Sequence, residues 1–127
     1  MGAVAIEMRT RECDGGPAPR PRRPAPVDLV HLARQTFGSL ELEREVLGLF
    51  VGQGSALVRR IAASEGAERA ALVHRLKGSA RGIGAARVAQ LCEALEAPAI
   101  DEDEMRHLLD GLGEAVVEVE GFVRALV

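Results

Sequence analysis

The sequence predicts an all-α protein: an antiparallel, up-and-down four-helix bundle with a short additional N-terminal helix. Three observations predict it. Of the 127 residues 47% are apolar, yet only three are Phe and none is Trp or Tyr. Leu, Val and Ala therefore carry the burial, which favours packed helices over a sandwich or barrel. Apolar residues recur at three- and four-residue spacing through four long segments. Short breaks containing Gly, Ser or Pro join these segments and lay consecutive helices side by side. A chain of this length holds one domain around one core.

The elements follow in order. Residues 1–26 hold five of the six prolines and read as a disordered Pro/Arg-rich tail, because so little apolar surface cannot offset the entropy of ordering. The bundle is expected over 27–127. Asp28 can cap a first helix that runs to about Thr36 and stops at Gly38. Ser39 can cap the second, with Glu41 in its first turn and a stripe of Leu47, Phe50, Gly54, Leu57 and Ile61. Ser64-Glu65-Gly66 breaks it. The third helix covers about Glu68 to Arg81, with Leu72, Val73, Leu76 and Ala80 inward, and Gly82 and Gly84 mark a tight turn around Ile83. The fourth turns Val88, Leu91, Cys92 and Leu95 inward and ends near Pro98. Asp101 and Glu104 resemble a capping box for the last helix. Its stripe is Met105, Leu108, Leu109, Leu112, Val116, Val119, Phe122 and Leu126.

Composition also narrows the function. The net charge of −3 divides unevenly, about +2 over residues 1–26 and −5 over 27–127. An acidic domain without aromatic platforms is a poor nucleic-acid binder. No apolar run reaches membrane-spanning length and no signal peptide is evident, so no membrane and a cytoplasmic location are expected. Cys13, in the tail, and Cys92, at an apolar helical position, read as free thiols in a reducing compartment. No exposed apolar seam stands out, so a monomer is expected.

The residues that carry chemistry begin at His74, in the run His74-Arg75-Leu76-Lys77-Gly78-Ser79-Ala80-Arg81-Gly82-Ile83-Gly84-Ala85. Lys77 is the only lysine among sixteen basic residues. On a helical wheel the apolar centre lies near Leu76 and His74 falls almost opposite, with Lys77, Gly78 and Arg81 on its side. Most helical histidines are solvated surface residues; the neighbours set this one apart. An imidazole with an ordinary pKa of about 6.5 is largely neutral and nucleophilic near pH 7. Phosphoryl transfer needs such a nucleophile in line and positive charge for the phosphoryl oxygens. Lys77 offers a mobile ammonium, and Gly78 lets a partner's surface approach the ring. Arg75 and Arg81 add attraction for an acidic partner face. The ring nitrogen not used for attack needs an acceptor to fix its tautomer. Glu93 and Glu96 on the returning helix are the acidic candidates. Glu96 follows the turn by about as many residues as His74 precedes it, which sets it level with the ring.

The segment from His74 to Glu96 resembles the signature of histidine-containing phosphotransfer (HPt) domains, four-helix bundles of multistep two-component signalling, and is similar to the phosphoacceptor domain of chemotaxis kinases. His74, Leu76, Lys77, Gly78, Ser79, Ala80, Gly84 and Ala85 match the family pattern without a gap. The resemblance implies His74 as phosphoacceptor at Nε2, Lys77 against the phosphoryl group, Gly78 as clearance for the partner and Glu96 holding the other ring nitrogen. It implies response-regulator receiver domains and a hybrid sensor histidine kinase as partners, with Mg²⁺ supplied by the receiver. The chain itself is expected to need no cofactor and to lack autonomous kinase activity, having neither a carboxylate cluster for metal nor a Gly-rich phosphate loop. Phe37, Leu40 and Leu42, with Val46 next, are the expected docking residues. The alternatives are a non-phosphorylated adaptor or inhibitor of the same fold, the detached phosphoacceptor of a larger kinase, and a purely structural bundle. His31 and His107 lack a Lys-Gly companion. Ser79 is expected on the core flank of its helix, as a packing residue.

Overall fold

The structure is a computed structural model and describes residues 25–126. The reading of a tail falls, but for Ala25 and Pro26, outside the described residues. Five helices follow one another: α1 (Leu29–Gln35), α2 (Leu40–Ala63), α3 (Gly66–Ile83), α4 (Ala86–Leu95) and α5 (Glu102–Leu126), with no strand among the described residues. The four longer helices form a ring in which α2 packs on α3, α3 on α4, α4 on α5 and α5 back on α2, while α1 lies across α3 and α2. This is the expected bundle with its extra helix.

Caps set the boundaries. The Asp28 side chain accepts from the amides of Val30 and His31 at 3.1 Å each, and Ser39 Oγ accepts from the Leu42 amide at 3.2 Å. Asp101 Oδ1 accepts from the Glu104 amide at 2.8 Å. Each satisfies an amide that the first helical turn leaves without a partner. The core holds the predicted residues of α2 and α3, together with Leu112, Val116 and Val119 of α5. Two details differ at the ends. Val123 is buried and Leu126 is 45% exposed, because α5 drifts relative to a strict stripe. Leu91 is half-buried, and Ala89 takes the inward place beside Val88 and Cys92.

The α3–α4 connection also differs from expectation. The helix continues through Gly82, and Gly84 alone, at φ +75°, makes the reversal. The Ala85 amide donates to Ala80 O at 2.8 Å and the Gly84 amide to Arg81 O at 3.3 Å, a Schellman closure. Gly84 O then accepts from the Asp28 amide at 3.0 Å, and the His31 ring donates from Nε2 to Arg81 O at 3.0 Å. Thus α1 is tied to the carbonyls that end α3. A β-carbon at residue 84 would stand 2.9 Å from Asp28 Cβ and 3.1 Å from its carbonyl oxygen. At the other end of α1, Phe37 at φ +54° and Gly38 at φ +76° turn the chain into α2. A non-glycine residue there is strained by about 1–2 kcal/mol, and the turn leaves Phe37 95% exposed.

Gly84→Ala is expected to lower stability by about 2–4 kcal/mol, since left-handed strain adds to a backbone clash. Urea unfolding followed by circular dichroism measures it; a loss within error of zero would mean that the turn relaxes freely.

Candidate functional site

The α3–α4 pair builds the site. Leu72, Val73, Leu76 and Ala80 anchor α3 inward, so His74 projects outward with its side chain 75% exposed. Glu96 caps the end of α4 directly across from it. Its Oε2 lies 3.3 Å from His74 Nδ1, and its Oε1 accepts from Lys77 Nζ at 2.5 Å. A carboxylate can only accept, so Nδ1 carries the proton and donates. In the neutral ring this leaves the Nε2 lone pair free, and no group among the described residues hydrogen-bonds that nitrogen. One carboxylate therefore orients the imidazole and holds the ammonium together.

Lys77 is engaged in the resting protein: its side chain is only 14% exposed and its ammonium is bound to Glu96 across the α3–α4 seam. The wheel put Lys77 on the side of His74; what it could not show was that α4 ends there on a carboxylate. The Glu96 carboxyl is held below its ordinary value, first by the Lys77 hydrogen bond and then by that of His74, against the opposing effect of partial burial. One turn further along, Arg81 donates to Glu93 at 2.6 Å, so Glu93 is engaged by the arginine instead of the imidazole. Arg81 is thereby partly neutralised as an attractor of acidic surfaces. Arg75 is exposed and has no ion-pair partner among the described residues.

Beneath this pair Cys92 is buried, and burial, reinforced by the nearby Glu96 charge, pushes its thiol up to about 12. It is protonated and chemically quiet near neutrality.

Gly78 lies one turn from His74 on the outward side, and a β-carbon built there meets nothing within 4 Å. Beyond it the α2 flank of α3 opens into an apolar groove lined by Leu42, Val46, Leu49, Phe50, Ser79 and Gly82. Ser79 is exposed in this groove, which corrects its placement in the core: the wheel put it at the margin, and α2 does not close over it. Of the predicted docking residues, Leu42 and Val46 line the groove. Leu40 lies instead on the opposite side of α2, in a groove shared with Val51, Val123 and Leu126. Phe37 stands at the α1–α2 corner. Leu49, which is 62% exposed, and Gly82 also line the groove although neither is among the docking residues expected from the sequence; the alternation of stripes on α2 was the available signal for Leu49. His31 serves the α1–α3 contact, and His107 is exposed on α5. No group of three or more metal-binding side chains clusters among the described residues.

The Glu96 carboxyl is expected to titrate below its ordinary 4.5, and Lys77→Met to raise it more than His74→Gln does. The sign for stability follows from the depressed folded value. The interaction contributes fully above the unfolded pKa near 4.5 and is lost as pH falls through the lower folded one. Carboxyl-carbon NMR titration of the three proteins checks this; a Glu96 value at or above 4.5 in the wild type would refute it.

Residues 45–121, most of α2 through most of α5, match the sequence profile of the Hpt domain. No curated protein and no solved structure gives a significant match. The profile covers more than half of the chain and contains His74, Lys77, Gly78 and Glu96, so the chain belongs to the Hpt domain family, whose role is phosphotransfer in two-component signalling.

Proposed function

We propose that the chain relays a phosphoryl group between receiver-domain aspartates through a phosphohistidine at His74. The observation that carries this reading is the single Glu96 carboxylate bound to His74 Nδ1 and Lys77 Nζ beside an exposed Nε2. In the forward step the Nε2 lone pair attacks the phosphorus of an aspartyl phosphate on a docked receiver. The N–P bond forms, the P–O bond to the aspartate breaks, and the aspartate leaves as a carboxylate. The proton stays on Nδ1, so the ring becomes a phosphoimidazolium whose positive charge is stabilised by Glu96. As that charge develops, Glu96 has less need of the ammonium. Lys77, already beside the ring, can then turn to the phosphoryl oxygens. Attack by a second receiver's aspartate reverses the step.

The receiver brings the Mg²⁺ that shields its own phosphoryl group, and this chain supplies no cofactor. Docking uses the α2–α3 groove: Leu42, Val46 and Leu49 give apolar contact, while Gly78 and Gly82 leave room for the partner. Arg75 on the groove side adds positive charge. The donor receiver belongs to a hybrid sensor histidine kinase, and the exchange takes place in the cytoplasm.

The test is transfer from a panel of phosphorylated receivers and hybrid kinases. Wild type is expected to take an acid-labile, base-stable label, and His74→Gln none. Absence of label from every donor, with the fold intact, would favour the adaptor reading. Gly78→Ala separates clearance from folding. With nothing near the new methyl, the helix is expected to gain about 0.5–1 kcal/mol. Transfer is expected to slow by about tenfold or more, because the partner is displaced from the ring. A variant that is more stable and equally fast would show that no partner approaches Gly78.

A further inference from the structure

The outward crest of α2 has no packing partner among the described residues and is ordered by charge. From Val46 to Val58 no residue is charged, and the run is flanked by Glu45 and Arg59. At about 100° per residue, Glu41, Glu45, Gly48, Gly52 and Arg59 share one face, opposite the buried stripe of Leu47, Phe50, Leu57 and Ile61. Glu45 and Arg59 stand equally far, two turns, to either side of Gly52. Both are exposed and neither has an ion-pair partner among the described residues, whereas Lys77 and Arg81 near His74 are paired with Glu96 and Glu93. Leu49, 62% exposed, borders the crest, and the apolar groove of Leu40, Val51 and Val123 runs along its other side. A β-carbon at residue 48 or 52 would meet nothing within 4 Å, so packing among the described residues does not require these glycines. Each weakens the helix by about 0.5–1 kcal/mol relative to alanine.

We propose that two copies of this chain pair antiparallel along α2, crossing at Gly52. An acidic N-terminal half, an uncharged small-residue centre and a basic C-terminal end on one helix face are complementary to themselves under a two-fold axis. The operation lays Glu45 of each copy on Arg59 of the other and brings the backbones together at Gly48 and Gly52. The crest is about a quarter-turn of α2 from the line of Leu42 and Val46, and His74 is on another helix, so the imidazole stays open in the pair. The area is that of one helix crossing, below the ~1,200 Å² of a stable interface, so the association is weak and depends on concentration.

Sedimentation equilibrium of the full chain from about 10 to about 500 µM tests it, a range chosen for weak association. The mass is expected to rise from one chain toward two across that range. Glu45→Arg or Arg59→Glu alone is expected to weaken association about tenfold, by placing like charges together. The double variant is expected to restore it, because its charges are again complementary. In a Cys13→Ser background, Gly52→Cys is expected to cross-link to its mate on oxidation with added diamide, since residue 52 lies on the axis and Cys92 is buried. Variants whose helical circular dichroism matches wild type are compared. A one-chain mass at every concentration, or a double variant no better than either single one, would overturn the proposal.

Discussion

The left-handed backbone at Gly84 is the constraint on which the rest depends. It ends α3 and reverses the chain, fixing the height at which α4 returns. From Gly84 the chain needs one helix of ten residues to bring Glu96 alongside His74. A longer or differently angled connection would rotate α4, and because its inward residues are fixed by burial, the carboxylate would move off the ring before the core could adjust. The same turn offers its carbonyl to Asp28, while Arg81 O receives His31. The α1 helix is thus tied to the end of α3, where it walls the groove that starts near Gly82. Site geometry and groove geometry therefore share one hinge.

Electrostatics at the site follow from that placement. Glu96 lies between a largely covered ammonium and an exposed imidazole, and each takes one of its two oxygens. Lys77 has the shorter contact and the larger effect on the carboxyl, so it is the dominant partner in the unmodified protein. That balance is what a transfer intermediate needs. The imidazole is oriented by a 3.3 Å contact, not clamped, and the cation nearest to it is stored on a group whose loyalty changes when the ring gains charge. The thiol of Cys92 lies below this cluster without entering it, kept protonated by burial and by the same carboxylate.

Much of this was legible in the sequence because it rests on periodicity and local chemistry. The caps Asp28, Ser39 and Asp101 were readable as side chains that serve the first amides of a helix. His74 could be placed opposite the core by counting at 100° per residue, and Glu96 by counting from the turn. What escaped needed the neighbouring helix. The angle of Lys77 gave its direction but not its partner, and Ser79 sat where only the reach of α2 decides between core and groove. Leu40 and Leu42 are two residues apart, which on a helix means opposite sides; reading them as one patch ignored that geometry. Gly82, although next to the turn, stays inside α3 because one left-handed residue, Gly84, suffices for the reversal.

The glycines of the bundle show how a sequence feature with one appearance has two causes. A β-carbon at Gly54 would lie 3.2 Å from Val116, inside the core between α2 and α5, so the fold itself requires the missing side chain. Gly78 lies in the same kind of helical interior, with open space around it. Both weaken their helices by a similar amount. In the first case, closer approach of α2 and α5 offsets the loss; in the second, nothing among the described residues does. A destabilising residue without internal compensation points to a demand from outside the chain. For Gly78 that demand sits one turn from an exposed nucleophilic nitrogen, and for Gly48 and Gly52 it sits between unpaired charges of opposite sign.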